Sequence, residues 1–402
     1  MNTIQQEITA RFDFPVCFTQ NLFDPENRIF VDTVCRQEKE RRHRVLFVID
    51  SNVAKAHPGL IASLHTYAEV HGEHLVLAAD PVVVPGGEAV KNDLSHVWDL
   101  VELVNRHGID RHSYIAIIGG GAVLDMASFA AAISHRSVRT IRIPTTVLSQ
   151  DDSGVGVKNG VNLFGKKNFI GTFQPPFAVL NDIDFIATLE HRDKIAGVAE
   201  AVKVAVIRDG EFFDYLESNR ERIARGDLDA LAHLIRRSAQ MHLDHIASSG
   251  DPFEVGSARP LDFGHWCAHK MEVLTKNRLR HGEAVALGMA LDTLYSWKTG
   301  HLTEAQALRV IGLLDDLGFS LWEEELLLEN EGGELVVLEG LREFREHLGG
   351  ILHITLLRGI GEGFEVNRMD ESLVVESIHW LREFQGRIEQ GFIDRTPKQA
   401  AL

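Results

Sequence analysis

Leu261-Asp262-Phe263-Gly264-His265-Trp266-Cys267-Ala268-His269 and, a little further on, Arg280-His281-Gly282-Glu283 bring three imidazoles into one short stretch of the chain. His269 follows His265 by one helical turn, and His265 and His281 both stand beside glycines in helix-prone sequence. Well upstream, Ala196-Gly197-Val198-Ala199-Glu200-Ala201-Val202-Lys203 adds a carboxylate with an ammonium one turn further along. Two imidazoles and a carboxylate, here His265, His281 and Glu200, form the donor set of a catalytic Zn²⁺-like ion that keeps one position open for substrate. In a chain with 20 histidines, chance pairs are plentiful, and the same residues also read as ordinary surface or core histidines. Spacing alone does not choose between the two readings.

A second group of residues could hold phosphate. A strand-like run at 114–118 leads into Gly119-Gly120-Gly121 and then into a helix of small residues at 122–134. A glycine triplet at such a junction lets backbone amides approach a pyrophosphate at the positive end of the helix. It is not Gly-x-Gly-x-x-Gly, and glycine-rich turns of this kind also arise for packing reasons. Asp50 and Asn52 close the first strand, and Pro85-Gly86-Gly87-Glu88 with Lys91 follows the second. Asp125 lies early in the helix after the triplet, and Thr145-Thr146 ends the fourth strand. These are the strand ends at which open α/β sheets bind ligands. From Gln150 to Gly171, five glycines forbid a regular helix while Lys158, Asn162, Lys167 and Asn168 offer donors to phosphate and hydroxyls. An exposed hairpin with solvating lysines is the alternative for this stretch.

The elements that must position these groups follow from periodicity. Strands at 44–50, 73–79, 114–118 and 138–143 alternate with helices, including one at 90–107, which predicts a mostly parallel, doubly wound sheet. After Ile183 the texture becomes helical, at 188–209, 227–247, 262–274, 282–298 and 304–317. The expected organisation is a Rossmann-like α/β domain at 1–185 and an all-helical metal- and substrate-binding domain at 186–402. Residues 323–345 are acidic and leucine-rich, read as a solvated helical face with a turn at Gly332-Gly333. Residues 394–402 read as a frayed tail.

Bulk properties bound the function. At 402 residues and 45% hydrophobic composition, the chain can bury a large core. A net charge of −17 argues against nucleic acid and anionic membranes as partners, though local cations can still hold a small phosphorylated ligand. Three scattered cysteines give no disulfide framework and suit a reducing compartment. The start lacks the features of a signal peptide, and no apolar run reaches the ~18 residues of a membrane span. A cytoplasmic globular protein is expected.

The pieces occur together, and in one order, in a known family. Gly-Gly-Gly-x-x-x-Asp (119–125), Pro-Thr-Thr (144–146), Asp-Ser-x-Val-x-x-Lys-x-Gly-x-Asn (152–162), Gly-x-Ala-Glu-x-x-Lys (197–203), Phe-Gly-His (263–265) and His-Gly-Glu (281–283) are quoted as they stand. The chain resembles the sugar phosphate cyclases, of which 3-dehydroquinate synthase is the type member. The resemblance implies a divalent metal, Zn²⁺ or Co²⁺, on Glu200, His265 and His281. It implies NAD on Asp50, Asn52, Glu88, Lys91, Gly119, Gly120, Gly121, Asp125, Thr145, Thr146 and Leu148. Asp152, Lys158, Lys203, Glu254 and His269 would serve catalysis, and Arg136, Asn162, Lys167, Asp262 and His347 would bind substrate. Arg136 matches an arginine that reaches the substrate phosphate of a neighbouring subunit, so a homodimer is implied. The family's reaction is a transient oxidation by NAD, elimination of phosphate, return of the hydride and an intramolecular aldol closure.

Departures from 3-dehydroquinate synthase point to a different substrate. Leu-Asn-Phe-Gly-His becomes Leu-Asp262-Phe-Gly-His, a lysine expected upstream is missing from Met241-His242-Leu243-Asp244-His245, and Arg259 is displaced by one residue. An Asp-Lys-Lys motif is replaced by Glu346-His347-Leu348. Two unscreened like charges ~4 Å apart at an effective dielectric of ~20 repel by ~4 kcal/mol, enough to reverse selectivity against a carboxylated sugar. Asp262 would instead accept hydrogen bonds from a hydroxyl. Asp262 and His347 resemble the sedoheptulose 7-phosphate cyclases of the valiolone-synthase type, which form C7 cyclitols. The alternatives are 3-dehydroquinate synthase of the shikimate route, a metal-dependent polyol or alcohol dehydrogenase, and a binding protein that has kept the fold.

Overall fold

Val45, Phe47 and Ile49 belong to one buried cluster and Leu46 and Val48 to another, so the strand that carries them is covered on both faces. Coverage on both faces is what a parallel sheet requires, because its crossover helices pack on either side. The computed structural model describes residues 3–8, 10–164, 166–248, 260–276, 278–347 and 352–389. Contacts divide it into two units, Met1–Thr145 with Gly154–Phe185, and Thr146–Ser153 with Ile186–Leu402.

In the first unit the strands are β1 (Val16–Thr19), β2 (His43–Asp50), β3 (Leu75–Leu77), β4 (Val82–Val84), β5 (Tyr114–Gly119) and β6 (Arg139–Pro144). A hairpin of β7 (Lys158–Leu163) and β8 (Lys166–Phe173) follows, and then β9 (Ala178–Asp182). The main sheet is parallel throughout, in the order β1-β9-β6-β5-β2-β3, with β4 also paired to β2. The chain leaves β2 towards β3 on one side and returns to β5 on the other. The strand order therefore reverses between β2 and β5, and the carboxyl ends at that reversal carry Asp50 and Gly119. A doubly wound sheet binds its ligand at this kind of switch point. Helices Ser95–Arg106 and Gly121–Ile133 pack on one face with Leu46, Val48, Ile115 and Ile117. Sequence periodicity identifies the central strands and misses β1, β4 and β9, which are three to five residues long.

In the second unit, helix His281–Lys298 is buried at Gly282 and at every position from Ala284 to Ser296, so it forms the axis around which the others pack. Helices His191–Arg208, Leu228–Ser248, His265–Leu274 and Glu304–Asp316 lie close to their expected bounds. The unit is helical but not wholly so. An antiparallel pair, β10 (Ile354–Gly359) with β11 (Glu362–Val366), turns through Gly361 at φ +87° and buries Ile354 and Leu356. The acidic stretch also departs from a single helical face. Two short 3₁₀ turns, Glu324–Leu327 and Val336–Leu338, precede helix Glu339–His347, whose Glu339 and Glu343 hold the Lys270 ammonium at 2.8 and 2.7 Å. Among the described residues, no helix is long and apolar enough to cross a membrane.

Candidate active site

Three helices of the second unit meet at Glu200, His265 and His281, whose ligand atoms all lie within 4.8 Å of one another. Local sequence explains the approach. A Cβ on Gly282 would fall 1.7 Å from the Ala196 carbonyl, so the turn after His281 can rest against the Glu200 helix only without a side chain. A Cβ on Gly288 would fall 2.0 Å from the Gly264 carbonyl, and Gly264 itself adopts φ +78° immediately before His265. Both histidines are the first residues of their helices.

Nε2 of His265 is 3.8 Å and Nε2 of His281 is 3.6 Å from Glu200 Oε1, close to the ~3.4 Å edge of a tetrahedral zinc site with bonds of about 2.0–2.1 Å. That oxygen is buried and accepts no hydrogen bond from the described residues, as befits a ligand atom for a cation. Nδ1 of His265 lies 3.1 Å from the Phe263 carbonyl, which can only accept, so Nε2 carries the lone pair. Burial, reinforced by Lys203, His281 and His269, holds the His265 imidazole well below its usual value and hence neutral. Nδ1 of His281 faces the buried Glu272 carboxylate at 3.4 Å. The residues present thus fit a divalent metal.

Around the trio stand further ionisable groups. Lys203 is in close ion-pair contact with the other Glu200 oxygen; burial opposes its charge, but Glu200, Asp152 and Asp262 together raise it above its usual value. Asp151 and Asp152 lie on a π-helical turn, Ser149–Ser153. Asp151 is fully buried, and burial, together with the neighbouring Asp152 and Glu200 carboxylates, pushes its carboxyl well above its usual range. Burial also raises Asp152, but His242, Lys203 and His265 outweigh it and leave the carboxyl well below its usual range. His269 is exposed one turn beyond His265, its ring centroid 5.6 Å from that of His265 and 6.2 Å from that of His281. Glu254 lies outside the described residues, and His347 closes helix Glu339–His347 with its side chain outside them.

In the first unit, Asp50 caps the helix that starts at Ser51, accepting from the Asn52 amide at 2.8 Å, and burial raises its carboxyl. Gly120 precedes helix Gly121–Ile133 with no side-chain cap, which leaves the first amides of that helix for a ligand. Lys91 pairs with Asp125 at 2.7 Å and also donates to Asn168. Asn162 donates to Glu88 at 3.0 Å and to Asn92 at 2.9 Å, and accepts from the Asn168 amide. Both amide hydrogens of Asn162 therefore tie the hairpin to the loop of Glu88 and Lys91, a use its expected substrate contact does not include. Arg142, wholly buried and lowered by burial to about 10, donates to the carbonyls of Gly154, Gly156 and Lys158, and so shapes the approach to exposed Lys158. Lys167 is exposed on β8. Arg136 is exposed in a turn where His135, Arg136 and Ser137 all have positive φ. Thr145 groups with the first unit, its amide bonded to the Gly119 carbonyl at 3.1 Å. Thr146 and Leu148 group with the second unit instead, with the Thr146 hydroxyl on Ser149 at 2.8 Å.

Sequence reasoning does not assign Glu272, His242, Asp151 or Asp292. For Glu272 a signal exists, since His265, His269 and Glu272 stand at i, i+4 and i+7, one stripe of a helix. The others depend on tertiary neighbours.

Residues 81–196 match the family 3-dehydroquinate synthase N-terminal, and residues 197–331 match 3-dehydroquinate synthase C-terminal. A 3-dehydroquinate synthase of Alkaliphilus metalliredigens is 33% identical over 331 residues, 82% of this chain and 88% of that protein. One from Solibacter usitatus is 36% identical over 296 residues, 73% of this chain and 80% of that one. Among solved structures, the 2-epi-5-epi-valiolone synthase ValA of Streptomyces hygroscopicus, with NAD⁺ and Zn²⁺ bound, aligns with a TM-score of 0.82 at 27% identity. That alignment covers 95% of this chain and all (100%) of the other. A 2-deoxy-scyllo-inosose synthase with carbaglucose-6-phosphate, NAD⁺ and Co²⁺ shares the fold at a TM-score of 0.73 and 23% identity, over 91% of this chain and 96% of that one.

Proposed function

The chain belongs to the 3-dehydroquinate synthase family, and within it we propose a sugar phosphate cyclase that acts on a seven-carbon ketose phosphate lacking a carboxylate, sedoheptulose 7-phosphate, and closes it to a cyclitol. The observation that carries the choice of substrate is the buried ion pair of Lys203 with Glu200, in a site where Asp152 and Asp262 also bear on the ammonium. Its ammonium answers to Glu200, Asp152 and Asp262 together, so it is already shared among carboxylates before any substrate arrives. A substrate carboxylate there would add a fourth negative group, whereas hydroxyls can donate to Asp152 and Asp262.

Glu200, His265 and His281 would hold the divalent metal, Zn²⁺ or Co²⁺. The switch-point residues Asp50 and Asn52, the Gly119-Gly120-Gly121 turn, Glu88, Lys91, Asp125 and Thr145 would hold NAD. When bound, the metal supplies polarisation of the sugar hydroxyls and NAD supplies a temporary acceptor for hydride. The remaining work falls to the chain itself. Lys158, Lys167 and Arg136 offer cations to the phosphate, Arg136 from a neighbouring copy in a homodimer. Lys203 and His269 are the groups to move protons at the sugar, and Asp152 accepts a hydroxyl proton or its hydrogen bond.

A second reading, 3-dehydroquinate synthase itself, is favoured by the curated relatives at 33–36% identity, which carry that name. Phosphate release from sedoheptulose 7-phosphate, compared with release from the carboxylated seven-carbon sugar phosphate used by 3-dehydroquinate synthases, tests one reading against the other.

A further inference from the structure

Asp152 and His242 approach one another from different elements of the second unit. Asp152 lies on the π-helical turn Ser149–Ser153, and His242 lies on helix Leu228–Ser248, which packs against that turn. Nδ1 of the imidazole is 3.0 Å from Oδ1 of the carboxylate, an ion-pair contact without hydrogen-bond alignment, with the His242 side chain 14% and the Asp152 side chain 30% exposed. The sheltered imidazole sets the pair apart from fully exposed ion pairs, which contribute little. Only one oxygen of Asp152 faces the imidazole.

We infer that His242 is the positioning residue for Asp152, holding that carboxylate so that its second oxygen accepts from an uncharged sugar hydroxyl. The inference rests on the cyclase reading above and adds to it a selectivity element. An imidazole engaged by a carboxylate presents little net charge to an incoming sugar, and so offers no anchor to a substrate carboxylate.

The test uses the full chain loaded with NAD⁺ and Zn²⁺, and four variants, His242→Ala, His242→Asn, Asp152→Asn and the Asp152→Asn/His242→Ala double. Phosphate release is followed with both seven-carbon sugars, and zinc affinity is measured in parallel. His242→Ala should lower kcat/KM by about 10–100-fold, the usual effect of losing a charged partner from a sheltered carboxylate. His242→Asn, whose amide can still donate to Asp152, should recover most of that loss. In the Asp152→Asn background, His242→Ala should change kcat/KM less than twofold, because it acts through the missing carboxylate. Zinc affinity should stay within threefold of the unsubstituted protein. A His242→Ala enzyme within twofold of the unsubstituted one, or an effect that simply adds to that of Asp152→Asn, overturns the inference. If the carboxylated sugar is the one turned over, the substrate assignment falls while the cycle, read on that sugar, still decides the role of His242. Turnover of neither sugar overturns both.

Discussion

Nδ1 of His281 lies 3.4 Å from the Glu272 carboxylate, while Nε2 of the same ring lies 3.6 Å from Glu200. The imidazole is thus held from behind by one carboxylate and directed towards another. An outer carboxylate on a ligating histidine fixes the ring and raises its basicity. Glu272→Gln should therefore weaken zinc binding by about 10–100-fold in a chelator competition. A change of less than threefold would remove Glu272 from the metal centre.

The Lys203 ammonium and a bound metal both neutralise Glu200, and this gives a second expectation. With Lys203→Met, the metal-free protein keeps a buried carboxylate without its cation, at a cost of about 3–5 kcal/mol. Added Zn²⁺ should then raise the unfolding temperature more in the variant than in the unsubstituted protein, because it restores the missing charge. Equal zinc-induced shifts in thermal unfolding would contradict this.

How far the sequence reveals such relationships depends on their range. The helices and the central strands are visible because their apolar residues repeat with a fixed period, and the Gly119–Gly121 turn is visible because it joins a strand to a helix. Glu200, His265 and His281 are visible as motif fragments, but their convergence depends on Gly282 and Gly288, whose bare backbones bear on residues far away in the chain. The π-helical turn has no periodic signature, so the burial of Asp151 and the pairing of Asp152 with His242 stay hidden. Asn162 adds a relationship that its motif does not reveal: in the structure its amide donates to Glu88 and Asn92. The pair β10 and β11, six and five residues long, is too short to stand out from the helical periodicity around it.

Asp292 provides a pH-dependent expectation. It is fully buried, accepts from Trp266 Nε1 at 2.8 Å and the Gly264 amide at 3.0 Å, and burial raises its carboxyl to about 7. An acid whose folded value lies above its unfolded value binds more protons when folded, so stability falls as pH rises between the two. The window runs from the ordinary 3.8 to about 7, and the loss is complete above it. Its size is up to roughly 4 kcal/mol. In metal-free protein, Asp292→Asn should flatten the fall in urea-unfolding stability between pH 5 and 8, whatever its effect on absolute stability. An unchanged slope would contradict the assignment.

In the proposed reading, substrate choice turns on Asp262. Asp262→Asn removes a carboxylate that bears on Lys203. The ratio of kcat/KM for the carboxylated sugar to that for sedoheptulose 7-phosphate should rise by about 10–1000-fold, from a repulsion of up to ~4 kcal/mol. A ratio unchanged within threefold would place the discrimination elsewhere.

The most direct test of the whole account is one cuvette of purified protein with NAD⁺ and Zn²⁺, in which phosphate release and NADH absorbance are followed together on sedoheptulose 7-phosphate. The account predicts steady phosphate release without net NADH, abolished by Glu200→Ala. Release confined to the carboxylated sugar, or NADH accumulating turn after turn, would contradict it.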